Sequence, residues 1–368
     1  MHEKLNAAFD LADSIRYSGD VRLPFRNLSD FQTGEINSHF AQSGLRISKK
    51  LTPDIYEAFQ RVFSHLQINP DLITAYVYSS PETQATCFSD NRHECIIWVT
   101  SSLIKLMSKD ELTFVIGHEL GHFLLGHSLE ERQDTESEEY LIRSRAQEIS
   151  VDRIGLVTCG SLNISIQALM KLVSGLGEDM LRFDVGSFLD QMRTQRTNST
   201  MHSGENSTHP TLLMRCRALL WFSMSDKYYK ICGNSGGEDL NKIDQRITID
   251  SEKYIDGPAR ERISEARENL ILWLAALASV RDGSLNKSNQ KIIEGLVGSE
   301  MLKKLLNFYS EQNRTEAIDS TQNKLTEALN HYQRVAPHEA TKKLPTIKRK
   351  IGVDFKQPDF LNYVSNLI

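Results

Sequence analysis

Apolar residues recur at three- and four-residue intervals through most of the chain, and only short stretches cluster in the manner of strands. LTPDIYEAFQRVFSHLQ, from Leu51, has this helical spacing, with Pro53 suited to a first turn. ITAYVYSS, from Ile73, and CIIWVTSSLI, from Cys95, are rich in β-branched and aromatic residues and are expected as strands. Ser108-Lys109-Asp110-Glu111 is a capping-box pattern that opens a helix through FVIGHELGHFLLGH. Helical patterning resumes after Asp152, including ISIQALMKLVSGLG from Ile164. The polar run TQRTNSTMHSGENST, from Thr194, reads as a surface loop and GNSGGEDLNK, from Gly233, as a linker. The expected fold is α+β and predominantly helical. An N-terminal arm covers 1–45, a domain with a small antiparallel rim sheet 46–230, a linker 231–258, and an all-helical module 259–368.

Length supports this division, because 368 residues exceed what one hydrophobic core usually organises. Hydrophobic residues at 40% and charged residues at 25% fit a folded chain, which excludes wholesale disorder. A net charge of -5 gives no electrostatic reason for a nucleic-acid partner. The longest uncharged apolar stretch, Leu270 to Val280, stops short of the roughly 20 residues that span a bilayer. No integral membrane segment is therefore expected. Five cysteines, with no CxxC pair, suit a reduced, cytoplasmic setting, and the first residues lack the apolar core of an export signal.

The chemistry concentrates in His118-Glu119-Leu120-Gly121-His122, the HExxH pattern of zinc peptidases. Histidines four apart on a helix are separated by about 40° around the axis and about 6 Å along it, so both rings can reach one ion. Glu119 points about 100° away from His118 and can serve as general base toward the attacking water. A pattern with two free positions arises by chance in about a few per cent of chains this long. The flanking Phe114, Val115, Ile116, Phe123, Leu124 and Leu125 argue against chance: they make the helix apolar enough to be buried, where unpartnered histidines would be costly.

Catalytic zinc takes three protein ligands, so a third is required. His127 follows His122 by five residues rather than the six of the metzincin pattern, and on a continuing helix it would point about 140° away. It reads as a helix-end or packing histidine. Glu148 and Asp152, in RAQEISVDRIGL, share a helix face, Glu148 as ligand and Asp152 as acceptor for a ligand histidine's other ring N–H. Spacing alone leaves this level with an ordinary solvated pair. Its rivals, Glu130, Glu131, Glu138 and Glu139, lie in a charge run that reads as a solvated connection.

The order of these motifs resembles the gluzincin peptidases that include the CAAX prenyl endopeptidases and HtpX-type proteases. HELGH is followed by Glu148-x-x-x-Asp152, then by His209-Pro210 and Arg215. The resemblance spans about residues 50 to 225. It implies Glu148 as third zinc ligand, Asp152 as support, one zinc ion per chain, and a rim strand, assigned to CIIWVTSSLI, on which a polypeptide substrate pairs in extended form. The family's Asn-Ala-Phe stretch has only a loose counterpart in QATCFS, from Gln84. Many relatives are integral membrane proteins, so their substrates do not carry over. Pro210 disfavours helix at His209, which places that imidazole at a loop-to-helix junction from which it can donate to an oxyanion. Arg215 is then expected to pair with Asp152.

LWLAALASVRDGSLNKSNQKIIEGL, from Leu272, is similar to the helix–turn–helix unit of TerB-like domains, beside the plainer reading of a helical bundle that binds a protein partner. The expected function is zinc-dependent endopeptidase activity. The competing class is a latent or non-proteolytic zinc-binding chaperone or interaction protein. The glutamate within HExxH favours the enzyme, because a structural zinc site has no use for it and usually has four protein ligands.

Overall fold

In chain order the elements begin with α1 (His2–Ser14), α2 (Thr33–Ser43), β1 (Leu45–Arg46), α3 (Pro53–Leu66), β2 (Ile73–Tyr78), β3 (Ala85–Phe88) and β4 (Cys95–Thr100). Next come α4 (Ser101–Leu106), α5 (Lys109–Leu125), α6 (Glu138–Cys159), α7 (Leu162–Ser174), α8 (Leu212–Ser223), α9 (Asp226–Ile231) and α10 (Leu240–Ser251). The chain ends in α11 (Gly257–Arg281), α12 (Lys287–Tyr309), α13 (Arg314–Val335), α14 (Pro337–Asp354) and α15 (Phe360–Leu367). This computed structural model describes residues 2–25, 33–89, 93–131, 134–184, 187, 207–281, 283, 285–310 and 314–367. Most of the polar run after Thr194 lies outside them.

Two compact units emerge: Met1–Arg132 with Arg143–Ile255, and Gln133–Ile142 with Asp256–Ile368. The core of the first gathers Phe59, Ile97, Leu103, Phe114, Phe123, Val151, Ile154, Leu219 and Phe222. Ala8, Phe9, Ala12 and Ile15 of the N-terminal arm belong to the same core, so the arm is built in rather than laid over it. Within 231–258, α10 is a regular helix capped by Asp239, and its Ile243 and Ile247 are fully buried in the first unit. An apolar pair at i and i+4 fixes one helix face inward, which a free linker would have no reason to carry. The second unit is helical among its described residues, around Leu270, Leu274, Leu277, Ile293, Leu325, Tyr332 and Phe360.

The sheet differs from the expected antiparallel one. Its order is β1-β2-β4-β3, with β2 and β4 parallel from Ile73 opposite Cys95 to Tyr78 opposite Thr100, and β3 antiparallel to β4. The cause is that β4, the most apolar run, takes the centre, where Cys95, Ile96, Ile97, Val99 and Thr100 are all buried. CIIWVTSSLI therefore cannot be the rim strand, since both its edges are used. The edge beside α5 belongs to β3, drawn from QATCFS.

The helix α5 starts on the capping box of Ser108 and Glu111 and stops at Gly126, whose φ of 75° and ψ of 24° turn the chain left-handed. Its crossing with α6 is unusually close. A Cβ on Gly117 would fall 2.0 Å from Thr158 Oγ1, and one on Gly155 would fall 2.8 Å from the Phe114 ring. Glycine at these positions lets the two helices meet, and that contact sets the site's dimensions.

Candidate metal centre

Four residues of α5 and α6 face one another across this contact. His118 and His122 lie one turn apart on α5, and Glu148 and Asp152 one turn apart on α6. Glu148 Oε2 is 3.5 Å from His118 Nε2, and Oε1 is 3.4 Å from His122 Nε2. Among the described residues, His118, His122 and Glu148 form a group whose ligand atoms are close enough to share one ion. Four-coordinate zinc with bonds of about 2.0–2.1 Å separates neighbouring ligand atoms by about 3.4 Å. The residues therefore fit zinc in donor type and spacing. Glu148 Oε2 is buried and accepts no hydrogen bond, with the Arg215 guanidinium 3.6 Å away, so its lone pairs remain available to a metal.

The supporting groups fix the ring orientations. Asp152 Oδ1 lies 3.0 Å from His118 Nδ1. Arg215, delivered by α8, grips the same carboxylate with both arms, Nε to Oδ2 at 2.8 Å and Nη2 to Oδ1 at 2.6 Å. Burial disfavours the charged forms of Asp152 and Glu148, yet Arg215 and His118 hold Asp152 below its ordinary value, and His118, His122 and Arg215 hold Glu148 well below its own. Both carboxylates are thus anionic at neutral pH.

Glu119, on the same helix, is half-buried and electrostatically coupled to His122. His209 sits just before α8, with Nε2 3.7 Å from Glu148 Oε1 and its side chain 61% exposed. It is outside the group able to share an ion and remains open to a ligand from solvent.

The rival glutamates are occupied elsewhere. Glu130 is buried rather than solvated, where it pairs with Arg143 and accepts from Gln147 Nε2 at 3.1 Å and from the Leu23 N–H at 3.2 Å. Glu138 pairs with Arg262, and Glu139 accepts the backbone N–H groups of His338 and Glu339. Glu131 is exposed.

Sequence reasoning placed His127 at a helix end and missed what it touches. Because Gly126 reverses the chain, His127 folds back instead of continuing round the helix, and its Nδ1 comes 2.9 Å from His122 Nδ1. Its Nε2 is 3.1 Å from Asp20 Oδ2 in the N-terminal arm. Burial pushes the His127 imidazole down to about 4, so it is neutral at physiological pH. Nothing local in the sequence marks Asp20.

Comparison with known proteins agrees with this geometry. Residues 49–136 match the model of Peptidase family M48. A curated relative, the Plastoglobule-localized metallopeptidase 48, chloroplastic, of Arabidopsis thaliana, is 26% identical over 210 residues, covering 50% of this chain and 60% of its own length. No solved structure gives a significant match. The family match contains His118, Glu119 and His122 and ends before Glu148. The two matches together support a metallopeptidase of the M48 type.

Proposed function

We propose that the chain is a zinc-dependent endopeptidase in which His118, His122 and Glu148 hold one metal ion. The observation that carries this reading is the 3.4–3.5 Å spacing of the Glu148 carboxylate oxygens from the Nε2 atoms of His118 and His122, three donors close enough to share one ion. Zinc, when bound, supplies Lewis acidity toward water and the scissile carbonyl. The remaining work falls to side chains. Glu119 takes the proton of the attacking water and hands it to the leaving amine. His209 donates to the oxyanion as the carbonyl becomes tetrahedral, supported by its exposure and its place beside Glu148. The substrate lies extended along β3, the sheet edge that packs beside α5, so recognition is largely through backbone hydrogen bonds.

Among the described residues no helix is long and apolar enough to cross a membrane. The cysteine spacing, with no CxxC pair, favours a reducing compartment such as the cytoplasm. For the helical second unit we propose a protein-binding role, supported by its resemblance to TerB-like modules and by a groove of about 520 Å³ lined by Met301, Phe308 and the edge of the buried Trp273.

The test is digestion of a peptide library and of casein by the zinc-loaded chain, with the chelated chain and His209→Ala in parallel. The loaded chain is expected to cut and the chelated one to stop. His209→Ala should keep its zinc and KM while kcat falls by roughly 10²–10³-fold, the scale of a lost oxyanion donor. Zinc binding without cleavage of any library member would favour the non-proteolytic alternative, and an unchanged kcat would return His209 to packing.

A further inference from the structure

The contacts of His122 extend the proposed zinc site into the N-terminal arm. Two imidazole nitrogens facing each other at 2.9 Å can share only one proton, so either His122 Nδ1 or His127 Nδ1 is the donor. The metal and the outer contact decide which. His127 Nε2 faces the Asp20 carboxylate at 3.1 Å, and an ionised carboxylate can only accept. Arg16 Nη1 lies 3.4 Å from the other oxygen of Asp20, a guanidinium that favours the carboxylate form. Once His122 Nε2, on the side of Glu148, holds the metal, its one ring proton is on Nδ1, so the acceptor between the rings is His127, whose own proton lies at Nε2 toward Asp20.

We propose that Asp20 and His127 are positioning residues that hold His122 in its metal-binding tautomer and orientation, so that the N-terminal arm is a working part of the zinc site. The inference rests on the reading of His122 as a zinc ligand. It gives each ligand histidine its own anchor: Asp152 with Arg215 behind His118, and His127 with Asp20 behind His122. The arm is fixed well enough to serve. The Tyr17 N–H donates to Ser150 Oγ at 3.1 Å, the Ser18 N–H to Asp244 Oδ2 at 2.8 Å, and Arg16 Nη2 to the Leu125 carbonyl at 2.7 Å. These contacts tie it to α6, to α10 and to the last turn of α5. The side chains of Asp20 and His127 are 0% and 5% exposed, so water cannot substitute for either.

The experiment measures zinc affinity of the chelated full-length chain by competition with a chromophoric chelator, alongside ¹⁵N chemical shifts of the His122 ring in the metal-free protein. Asp20→Leu and His127→Leu are expected to bind zinc about 10–100-fold more weakly. Asp20→Asn keeps an acceptor for the His127 N–H and should stay within about threefold of wild type. The His122 ring should be protonated at Nδ1 in wild type and Asp20→Asn, and should move toward the Nε2 tautomer in Asp20→Leu. His122→Ala is the control for the underlying reading. If it retains wild-type zinc affinity, the site assignment itself fails. If it loses zinc while Asp20→Leu and His127→Leu bind as wild type, the positioning role alone is overturned. Equal losses in Asp20→Asn and Asp20→Leu with an unmoved His122 tautomer would also overturn it, because a purely structural contact behaves that way.

Discussion

Glu119→Gln is expected to bind zinc as tightly as wild type and to hydrolyse peptides about 10²–10⁴-fold more slowly, the range for loss of a positioned general base. One helix carries two separate jobs. His118 and His122 face Glu148, whereas Glu119 projects from α5 outside the group able to share an ion. An amide is nearly isosteric with the carboxylate but cannot take a proton from water at neutral pH. Zinc content by elemental analysis and kcat on a library-derived peptide check the two halves independently. Turnover at the wild-type rate would remove Glu119 from the mechanism, and loss of zinc would mean that it holds the metal instead.

Arg215→Met is expected to produce the largest loss of stability of any single change near the site, about 3–5 kcal/mol in urea unfolding. Arg215 joins α8 to α6 through two short hydrogen bonds to Asp152, and both side chains are nearly inaccessible. The cost arises less from the lost bonds than from what remains, because Asp152 would be left buried and anionic with only His118 beside it. Pairing the change with Asp152→Leu removes the stranded charge and should recover much of the stability, but not the zinc affinity, since the double variant deprives His118 of its anchor. A stability loss under 1 kcal/mol in the single variant would show that the pair contributes no more than a surface ion pair.

Part of this arrangement was legible in the chain. HExxH encodes its own geometry, because a four-residue step on a helix aligns two rings whatever surrounds it, and the capping box marks where that helix begins. The sheet was less legible. Periodicity identified β2 and β4 as strands, but the four residues of β3 carry too little pattern to reveal that β4 is inserted between β2 and β3. The charge run after His127 misled because composition cannot show that Glu130 has Arg143, Gln147 and the Leu23 amide waiting for it.

The outer anchors were unreadable for two distinct reasons. His127 was visible, but its direction depended on whether the helix continued, and the left-handed turn at Gly126 reverses the answer. Asp20 is more than a hundred residues from His127, and only the folded arm brings them together. Local spacing finds ligands that share a helix turn. It does not find partners assembled by tertiary packing.

The most direct measurement for the central claim is the zinc-binding isotherm of the chelated chain, compared with those of Glu148→Gln and Glu130→Gln. One equivalent should bind per wild-type chain, with affinity weakened by at least about tenfold in Glu148→Gln and unchanged in Glu130→Gln. No saturable zinc binding by wild type, or a loss confined to Glu130→Gln, would contradict it.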